Sequence, residues 1–495
     1  MNIVPKTIAV VGAGLSGLAS AAVLAKQGYQ VSLFEKNTTS GGRVRKFEAD
    51  GFVFDMGPSW YWMPDVIEKY FNLFDVSSSD FYKLEKLDPA FRVYFGKDDY
   101  IDIPDSKEEL VELFESIESG SGQKLVTFLD ESQLKYDVGV KDLVYRPSTS
   151  VTEFLSPALG LKMIKLKALK PFDKYVGSFF KNKRLKSLME FPILFLGGTA
   201  KSTPSLYSLM NYACFELGTW YPQGGFSELA KAMTKVAEQN GVNINLSTPI
   251  TDIEIENKIV KTISSEKSSY KVDGVINGGD YQHFDQKLLG AEHRSYNQKY
   301  WDSRVMSPSS LIFYLGIDRK VEGLIHHNLF FDEDFGLHAE EIYKNPKWPT
   351  KPLFYVCCPS KTDTSVAPEG KENLFILMPL AVGIADTVEL REQYYDLLMT
   401  RLESIIGTDL RPDVIYKKSY CIKDFSSDYN SFKGNAYGLA NTTLQTAFMK
   451  PRMNSKKVNN LFHCGQLTVP GPGVPPSIIS GQVAANEMIK YLSSK

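Results

Sequence analysis

Six residues near the N-terminus constrain the fold of this chain more than any others. Gly12-Ala-Gly14-Leu-Ser-Gly17 follows the β-branched run Thr7–Val11 and opens a stretch rich in Ala and Leu that ends at Gly28. This order predicts a strand, a tight turn and a helix. The first glycine permits the sharp turn, the second lets backbone approach a pyrophosphate, and the third lets helix and strand pack closely. The free amides and the positive dipole end of the helix favour bound phosphates.

An acidic residue lies where a fold of this kind binds a ribose. Glu35 ends a second predicted strand that begins at Gln30, about 20 residues after the glycine turn, the spacing at which a carboxylate accepts hydrogen bonds from ribose hydroxyls. The same charge repels a 2′-phosphate and so disfavours NADP. A glycine turn of purely structural use is the alternative, and the flanking strands and the acid weigh against it.

A Gly-Gly-Arg segment after the acidic strand separates FAD from NAD as the expected cofactor. Gly41-Gly42-Arg43 resembles the segment that lies along FAD in the flavin amine-oxidase and carotenoid-desaturase superfamily. The resemblance implies that Lys36, Gly42 and Arg43 contact FAD, with a solvated loop arginine as the alternative for Arg43. It also implies that the turn Gly57-Pro58-Ser59 lies close to the isoalloxazine. The aromatic residues that follow, Trp60-Tyr-Trp62, either line a substrate cavity or belong to the core.

Two later segments return to the same cofactor domain. Tyr221–Phe226 precedes a predicted helix over 227–239 with Ser227 as candidate N-cap, and a strand over 272–280 ends in Asn277-Gly-Gly-Asp280. Near the C-terminus a strand ending at Gly465 leads through a Pro- and Gly-rich loop into a helix predicted over 477–492. The N-terminus of this helix is expected to point at the flavin. The residues expected at the cofactor here are Gly465, Gln466, Val474 and Pro475.

These segments define an α/β fold class and a discontinuous domain organisation. We expect a Rossmann-like FAD-binding domain, of the glutathione-reductase-like, flavin amine-oxidase type, built from 1–90, 221–290 and 455–495. An inserted α+β domain with a helical cap, 91–220 and 291–454, is expected to bind substrate and membrane. The chain has no second G-x-G-x-x-G, so electrons are expected to leave to oxygen, a quinone or another small acceptor. Its five cysteines include no C-x-x-C pair, so we expect no metal and no disulfide reductase chemistry.

The whole chain resembles a carotenoid desaturase of the bacterial phytoene-desaturase type. The residues that carry the resemblance are Gly12 to Gly17, Glu35, Gly41-Gly-Arg43, Phe52-Val-Phe-Asp-Met-Gly-Pro58, Pro222-Gln-Gly-Gly225 and the terminal run Leu461 to Pro475. Gln466 departs from related amine oxidases, which usually have an acid there. The resemblance implies FAD-dependent desaturation of phytoene or a related acyclic carotenoid, a lipophilic polyene, with products such as lycopene.

No confident catalytic base follows from this resemblance. Glu153 is a candidate, with a solvated carboxylate as the alternative. Other functions stay open: a later-step desaturase, carotenoid isomerase, ketolase or retinol saturase; an amine or protoporphyrinogen oxidase; and a flavin-free lipid-binding module, since Rab GDP-dissociation inhibitors resemble this fold.

A basic stretch suggests a membrane surface as partner. The chain carries 56 basic and 58 acidic residues for a net charge of -2, which gives it no reason to bind nucleic acid. The stretch 161–186 nevertheless contains nine Lys or Arg against one acid, Asp173, with apolar residues interleaved. Such a patch can hold a peripheral protein on an anionic leaflet, with a solvated basic helix as the alternative. No secretory signal or membrane-spanning run is expected, so we expect a cytoplasmic protein peripherally associated with the inner membrane.

Overall fold

The computed structural model describes residues 5–141, 143–150, 153, 160 and 165–495. It contains both the strands and the helices that an α/β chain is expected to have. The strands are β1 Thr7–Val11, β2 Gln30–Phe34, β3 Lys46–Ala49, β4 Phe52–Asp55, β5 Leu84–Lys86, β6 Phe91–Gly96, β7 Asp99–Ile103, β8 Trp220–Pro222, β9 Asn243–Asn245, β10 Ile250–Glu256, β11 Ile259–Ser265, β12 Ser269–Lys271, β13 Gly274–Asn277, β14 Ser309–Ile317, β15 His327–Phe330, β16 Phe354–Cys357, β17 Glu372–Leu380, β18 Val414–Tyr420 and β19 Leu461–His463. The described α-helices are α1 Leu15–Lys26, α2 Pro64–Asn72, α3 Lys107–Ile117, α4 Ser121–Lys141, α5 Phe172–Val176, α6 Lys183–Glu190, α7 Leu209–Phe215, α8 Ser227–Gln239, α9 Tyr281–His283, α10 Gln298–Asp302, α11 Phe335–Tyr343, α12 Val388–Ile406, α13 Ile422–Tyr429 and α14 Val474–Ser493.

A five-stranded parallel sheet contains the N-terminal motif at its centre. The strand order is β19–β13–β1–β2–β9, and every neighbouring pair runs parallel. Parallel neighbours need long crossover connections. The strands accordingly come from three separate stretches of the chain, which contain β1 and β2, β9 and β13, and β19. The α/β class with a Rossmann-like parallel sheet is thereby confirmed, while the boundaries 1–90, 221–290 and 455–495 stay a prediction.

The order of this sheet reverses beside β1. The chain proceeds to β2 and β9 on one side of β1 and to β13 and β19 on the other. In open parallel sheets ligands bind at the carboxyl ends of the strands where the order reverses. Gly12 follows β1 there with a φ of +97°, and a Cβ on it would lie 2.9 Å from the amide nitrogen of Gly279, just after β13. Two glycine loops therefore meet at the mouth of the crevice.

The first helix packs against this sheet at very short distance. A Cβ on Gly17 in α1 would lie 1.9 Å from the carbonyl oxygen of Gly12, so this glycine permits the contact between helix and strand. The C-terminal helix α14 packs in turn on α1. The amino ends of both helices consequently lie beside the crevice.

A seven-stranded sheet forms the second layer of the molecule. Its order is β18–β14–β17–β16–β15–β6–β7, and its neighbours are antiparallel except for β15 and β6. Every residue of β14 is buried because both faces of the sheet are covered. On one face of β14, Phe313 and the residues that alternate with it pack against helix α12. On the other face, Ile312 and Tyr314 belong to the main hydrophobic core.

A helical region precedes the return to the parallel sheet. Helix α4 packs against α3 and α7, with Leu125, Phe128 and Tyr136 among its buried residues. None of the described helices combines the length and the hydropathy needed to cross a bilayer.

Burial of the Lys135 amine in α4 lowers the folding stability by an amount that depends on pH. It is 0% exposed, it donates to the Ser208 hydroxyl at 3.2 Å, and burial lowers its pKa from 10.5 to about 7. Between these two values the unfolded chain binds one more proton than the folded one, so stability contributed at this site rises with pH across that window. At pH 7 and below the cost is complete.

We therefore expect Lys135→Met to stabilise the protein at pH 7. The gain should be on the order of 3 kcal/mol, since one pKa unit corresponds to about 1.4 kcal/mol and the Ser208 hydrogen bond is lost. Denaturant unfolding of both proteins between pH 7 and 10 measures it, and the difference should shrink as pH rises. Lys124→Met, in the same helix but with a side chain that is 43% exposed, is the control; an equal gain there would contradict the buried-charge explanation.

The start of helix α8 corrects one prediction. Ser227 is the first helical residue rather than the N-cap, which is Phe226. Asp55, at the end of β4, instead accepts hydrogen bonds from the amides of Phe226 at 2.7 Å and Ser227 at 3.2 Å. Burial raises the pKa of Asp55 to about 6. A side chain remote in sequence thus supplies the cap that the local pattern assigned to a serine.

Candidate cofactor and substrate site

A cavity of about 460 Å³ extends between the glycine loops and the inner face of the seven-stranded sheet, within the size range of ligand sites. The structure brings together residues that the sequence predicts from four separate segments. Those that line the cavity are Gly12, Gly14, Leu15, Ser16, Glu35, Lys36, Gly42, Arg43, Gly57, Pro58, Ser59, Gly465, Gln466, Val474 and Pro475. Gly17 does not line it, because its place is between helix and strand.

Gly14 faces open space in this cavity. It is the N-cap of α1 with ordinary extended angles, φ −72° and ψ 174°, so its backbone does not require glycine. A Cβ there would have only the Cα of Gly42 within reach, at 4.0 Å. The space in front of the helix amides is therefore free for a ligand that approaches the backbone closely.

Glu35 joins the glycine loop to the strand beside it. Its Oε2 accepts a hydrogen bond from the Ala13 amide at 2.8 Å, and its Oε1 accepts from the amide and the side chain of Asn37 at 2.9 and 2.8 Å. The residue is only 6% exposed. A carboxylate oxygen has two acceptor sites, so Oε2 retains one for a ribose hydroxyl.

Arg43 is a buried cation with an unused donor. Its Nη2 donates to the Ser431 hydroxyl at 3.0 Å, and its guanidinium lies 4.9 Å from the centre of the Tyr429 ring. Among the described atoms, its buried Nε has no hydrogen-bond partner. Burial lowers the pKa of Arg43, yet an arginine in a protein remains protonated. The positive charge of Arg43 and its unpartnered Nε–H group, together with the open space at the glycine loop, suit an anionic dinucleotide.

Several cavity segments, three of which follow, were not among the predicted site residues. Gly278-Gly279-Asp280 follows β13, and burial raises the pKa of Asp280 to about 6. Thr248–Ile250 and Asp428–Asn430 also line the cavity. The first has a detectable signal, because glycines follow strand β13 directly, as a glycine follows β1. The other two follow no local pattern.

The end of helix α13 lies next to the residues that follow Glu35. The Lys36 ammonium donates to the Ser427 carbonyl at 2.5 Å, and the Asn37 side chain donates to the Asp428 carbonyl at 3.3 Å. Arg45 forms an ion pair with Asp428 at 3.1 Å. These contacts connect the end of helix α13 to the segment after β2.

The other part of the cavity is apolar and aromatic. Trp60 and Trp62 line it whereas Tyr61 is packed in the core, so the aromatic run after Ser59 divides between the two expected roles. Helix α11 presents one face to the cavity. The apolar lining includes Met63, Phe191, Met210, Ile312, Leu329, Phe331, Phe335, Ala339, Ile342, Leu353 and Leu377.

Glu153, the candidate base, and His338, a histidine of the cavity wall, both have their side chains engaged in hydrogen bonds. His338 accepts from the Leu353 amide through Nδ1 at 3.0 Å, and its Nε2 donates to the Pro379 carbonyl at 3.0 Å; burial lowers its pKa to about 4. Glu153 does not line the cavity, and it accepts from the amides of residues 148, 149 and 150 at 2.7 to 3.0 Å. Although partial burial opposes the effect, these hydrogen bonds lower the pKa of Glu153. The structure therefore does not bring Glu153 to the predicted substrate.

The reversal point, the paired glycine loops and the buried arginine define a flavin-dependent oxidoreductase of the FAD-binding α/β class. Comparison with known proteins agrees, because the sequence pattern of the flavin-containing amine oxidoreductases matches residues 15–489. A carotenoid 3,4-desaturase of Haloarcula japonica is 36% identical over 489 residues, 98% of each chain. A 4,4′-diapophytoene desaturase of Staphylococcus aureus is 32% identical over 505 residues, again 98% of each chain. The chain belongs to the flavin-containing amine oxidoreductase family and, within it, to the carotenoid desaturases, and it is an FAD-dependent oxidoreductase acting on CH–CH groups.

Solved structures support the fold independently. An oxidoreductase of Methanosarcina mazei superposes with a TM-score of 0.65 over 97% of this chain and 100% of its own, at 16% identity. Cyclohexylamine oxidase of Brevibacterium oxydans gives a TM-score of 0.59 over 99% and 100%, at 14% identity. At these identities the likeness concerns the fold alone.

Proposed function

We propose that this chain desaturates phytoene or a closely related acyclic carotenoid, with more conjugated products such as lycopene. The observation that carries the proposal is the continuity of one cavity from the dinucleotide loops to an apolar, aromatic wall. FAD bound at the first part supplies a hydride acceptor, its N5 atom. The apolar wall binds the polyene and excludes water from it.

The chain's own residues need to do little acid–base work in this reaction. Removal of a hydride from an allylic C–H leaves a cation delocalised over the polyene, and loss of a proton from the neighbouring carbon forms the new double bond. Such a cation is a strong acid, so a weak base suffices to complete the step. Binding, orientation and exclusion of water are therefore the main contributions of the cavity.

A later-step desaturation is the second candidate function. It is favoured by the 36% identity to a carotenoid 3,4-desaturase, against 32% to the diapophytoene desaturase. Membership of this family thus leaves the position of the new double bond open.

Pigment analysis distinguishes the two. We would express the chain in one host that accumulates phytoene and in a second host that accumulates lycopene. Coloured products in the first host, each lighter by the mass of two hydrogens per double bond, are expected. Unchanged phytoene together with further desaturated lycopene would favour the second candidate, and no conversion in either host would overturn both.

We also propose a peripheral position on the cytoplasmic face of the inner membrane, held by a basic-apolar patch. The patch consists of Lys165, Lys167, Leu169, Lys170, Leu444 and Phe448. Leu169 is 74% and Leu444 is 77% exposed. A series of contacts connects the two leucines. The carbonyl oxygens of residues 168 and 170 accept hydrogen bonds from the amides of 206 and 205, and the Tyr207 hydroxyl lies 3.1 Å from that of Thr446.

The composition of this patch differs from the sequence expectation. Phe172 and Phe180, two of the apolar residues interleaved in the basic stretch, are both 0% exposed. The apolar contribution comes instead from Leu169 and from distant Leu444. Lys162 and its neighbours 161, 163 and 164 lie outside the described residues. A carotenoid is soluble only in the bilayer, which supports placing the enzyme there, and a quinone of the membrane or oxygen is the electron acceptor that we propose.

Charge reversal tests the patch directly. Lys165→Glu, Lys167→Glu and Lys170→Glu together should lower liposome binding by about 3 kcal/mol or more, because each cation near an anionic leaflet contributes about 1 kcal/mol. Co-sedimentation with vesicles of anionic lipid measures it. The matched control reverses Lys261, Lys267 and Lys271, which are exposed on the three-stranded sheet of β10, β11 and β12. Equal loss in both triple variants would contradict a specific patch.

A further inference from the structure

A chain of hydrogen bonds leads from the cavity wall into the interior. The hydroxyls of Ser59 and Tyr355 lie 2.9 Å apart, and the Tyr355 hydroxyl lies 2.6 Å from Nδ1 of His327. Ser59 and Tyr355 both line the cavity. His327 is 0% exposed and lies behind them. A polar route therefore connects the apolar cavity with a buried imidazole.

The antiparallel pairing of β15 and β16 positions this route. Leu329 is opposite Tyr355 and His327 is opposite Cys357, so the four side chains alternate onto the same face of the sheet. The first pair borders the cavity, and the second pair lies one step deeper. The Trp60 ring stacks on the His327 ring with centroids 4.1 Å apart and an interplanar angle of 10°, which fixes the orientation of the imidazole.

The other polar groups of the apolar cavity lack such a connection. Both nitrogens of His338 are committed to backbone groups. Among the described residues, the Tyr343 hydroxyl has no hydrogen-bond partner. Of the described cavity tyrosines, only Tyr355 is hydrogen-bonded to a ring nitrogen that can accept a proton.

We propose that Tyr355 receives the proton released in desaturation and relays it to His327. The inference rests on the proposed function. When the allylic hydride has left with its electron pair, the cation has one C–H bond to break. The Tyr355 oxygen forms a bond to this proton while its own proton passes to Nδ1 of His327, and the C–H electron pair becomes the new double bond. The polyene leaves neutral, Tyr355 is unchanged and His327 is an imidazolium.

The charges and hydrogens balance over the turnover. The hydride and the proton on His327 are together the two hydrogens that the small electron acceptor, a quinone or oxygen, finally takes up. Trp60 stacked on the imidazolium stabilises its charge, as an indole face attracts a cation. Burial and the neighbouring His326 lower the pKa of His327, so the proton does not stay there between turnovers. A strongly acidic cation can still protonate so weak a base.

The same histidines raise one alternative that the test must separate. Ligand atoms of His326, His327 and Cys357 all lie within 4.8 Å of one another, and Nε2 of each histidine is buried without a partner in the described part of the chain. A soft divalent cation could use these three atoms. Occupation of His327 by a metal would remove it from the relay.

Two substitutions test the relay in the FAD-loaded enzyme bound to liposomes that contain the carotenoid. Tyr355→Phe removes the hydroxyl, and His327→Asn keeps an acceptor near the position of Nδ1 but no base. Both should lower the desaturation rate at least about tenfold, which is less than the roughly 100- to 10,000-fold effect of a typical general base, because the cation is itself a strong acid. Tyr94→Phe is the control, because Tyr94 packs in the cluster on the opposite face of the same sheet.

The decisive readout is isotopic. With substrate deuterated at the carbon that loses the proton, the isotope effect should be small in the wild type and increase in both variants, because proton loss becomes rate-limiting. A residue that only supports the fold would lower the rate without changing this effect. Retained FAD and unchanged thermal unfolding identify correctly folded variants.

The outcomes separate the relay from the proposed function. A wild-type enzyme that converts acyclic carotenoids, with Tyr355→Phe equally active or with an unchanged isotope effect, would overturn the relay alone. Stoichiometric metal in the purified wild type that is lost in His327→Asn would also overturn it. A wild type inactive on every acyclic carotenoid would overturn the proposed function and the relay with it.

Discussion

Replacement of Gly14 by valine is expected to abolish FAD binding and leave the apoprotein folded. The extended backbone at Gly14 accepts a β-branched residue, and the nearest atom to a Cβ there is 4.0 Å away. The methyl groups would occupy the space through which a pyrophosphate reaches the amides of α1. We expect the affinity for FAD to fall at least about 100-fold, which corresponds to about 2.8 kcal/mol. Flavin absorbance retained after gel filtration and thermal unfolding of the apoprotein measure the two effects.

Two other glycines provide the controls for this experiment. Gly17→Ala places a Cβ 1.9 Å from the Gly12 carbonyl oxygen, so it should lower the stability of the apoprotein itself. Gly96→Ala meets no atom within 4 Å and lies outside the cavity, so it should change neither property. A Gly14→Val protein that still binds one equivalent of FAD would show that this loop does not hold the pyrophosphate.

The glycine loop could be predicted from sequence because its causes are local. A positive φ at Gly12 and close approach at Gly17 each demand a residue without a side chain, whatever the rest of the chain does. Glu35 follows from the same local unit, since a strand of fixed length places it beside the turn. The second loop, Gly278-Gly279, obeys the same rule after β13. It was missed as a site because its partner strand β1 lies far away in sequence.

The substrate side could not be predicted in the same way. Tyr355 and Ser59 are separated by 296 residues, and their contact depends on the pairing of β15, β16 and the turn after β4. Asp55 caps a helix 171 residues later and displaces the locally plausible Ser227. In the described residues, Leu444 is connected to the basic stretch through the contact between Thr446 and Tyr207. In each case a long-range contact decides the role of a residue that has no distinctive neighbours in the sequence.

Helix α11 offers a way to separate the substrate part of the cavity from the cofactor part. Its cavity residues Phe335, His338, Ala339, Ile342 and Tyr343 recur at intervals of three and four, which places them on one face of the helix. Ala339 is the smallest of them. A tryptophan at this position would fill the apolar space next to Ile342.

We expect Ala339→Trp to lower kcat/KM for the carotenoid at least about 100-fold, a loss of about 3 kcal/mol in transition-state stabilisation, while FAD affinity remains within about threefold of the wild type. Pigment formed per bound FAD and a flavin titration measure the two quantities. Glu340→Trp is the matched control, because Glu340 is the next residue and is exposed. Full activity of Ala339→Trp would place the polyene elsewhere, since a bulky ring and a long rigid hydrocarbon cannot share this wall. Equal loss of FAD would instead mean that the two parts of the cavity are one site, because the block would then act on the cofactor rather than on the substrate.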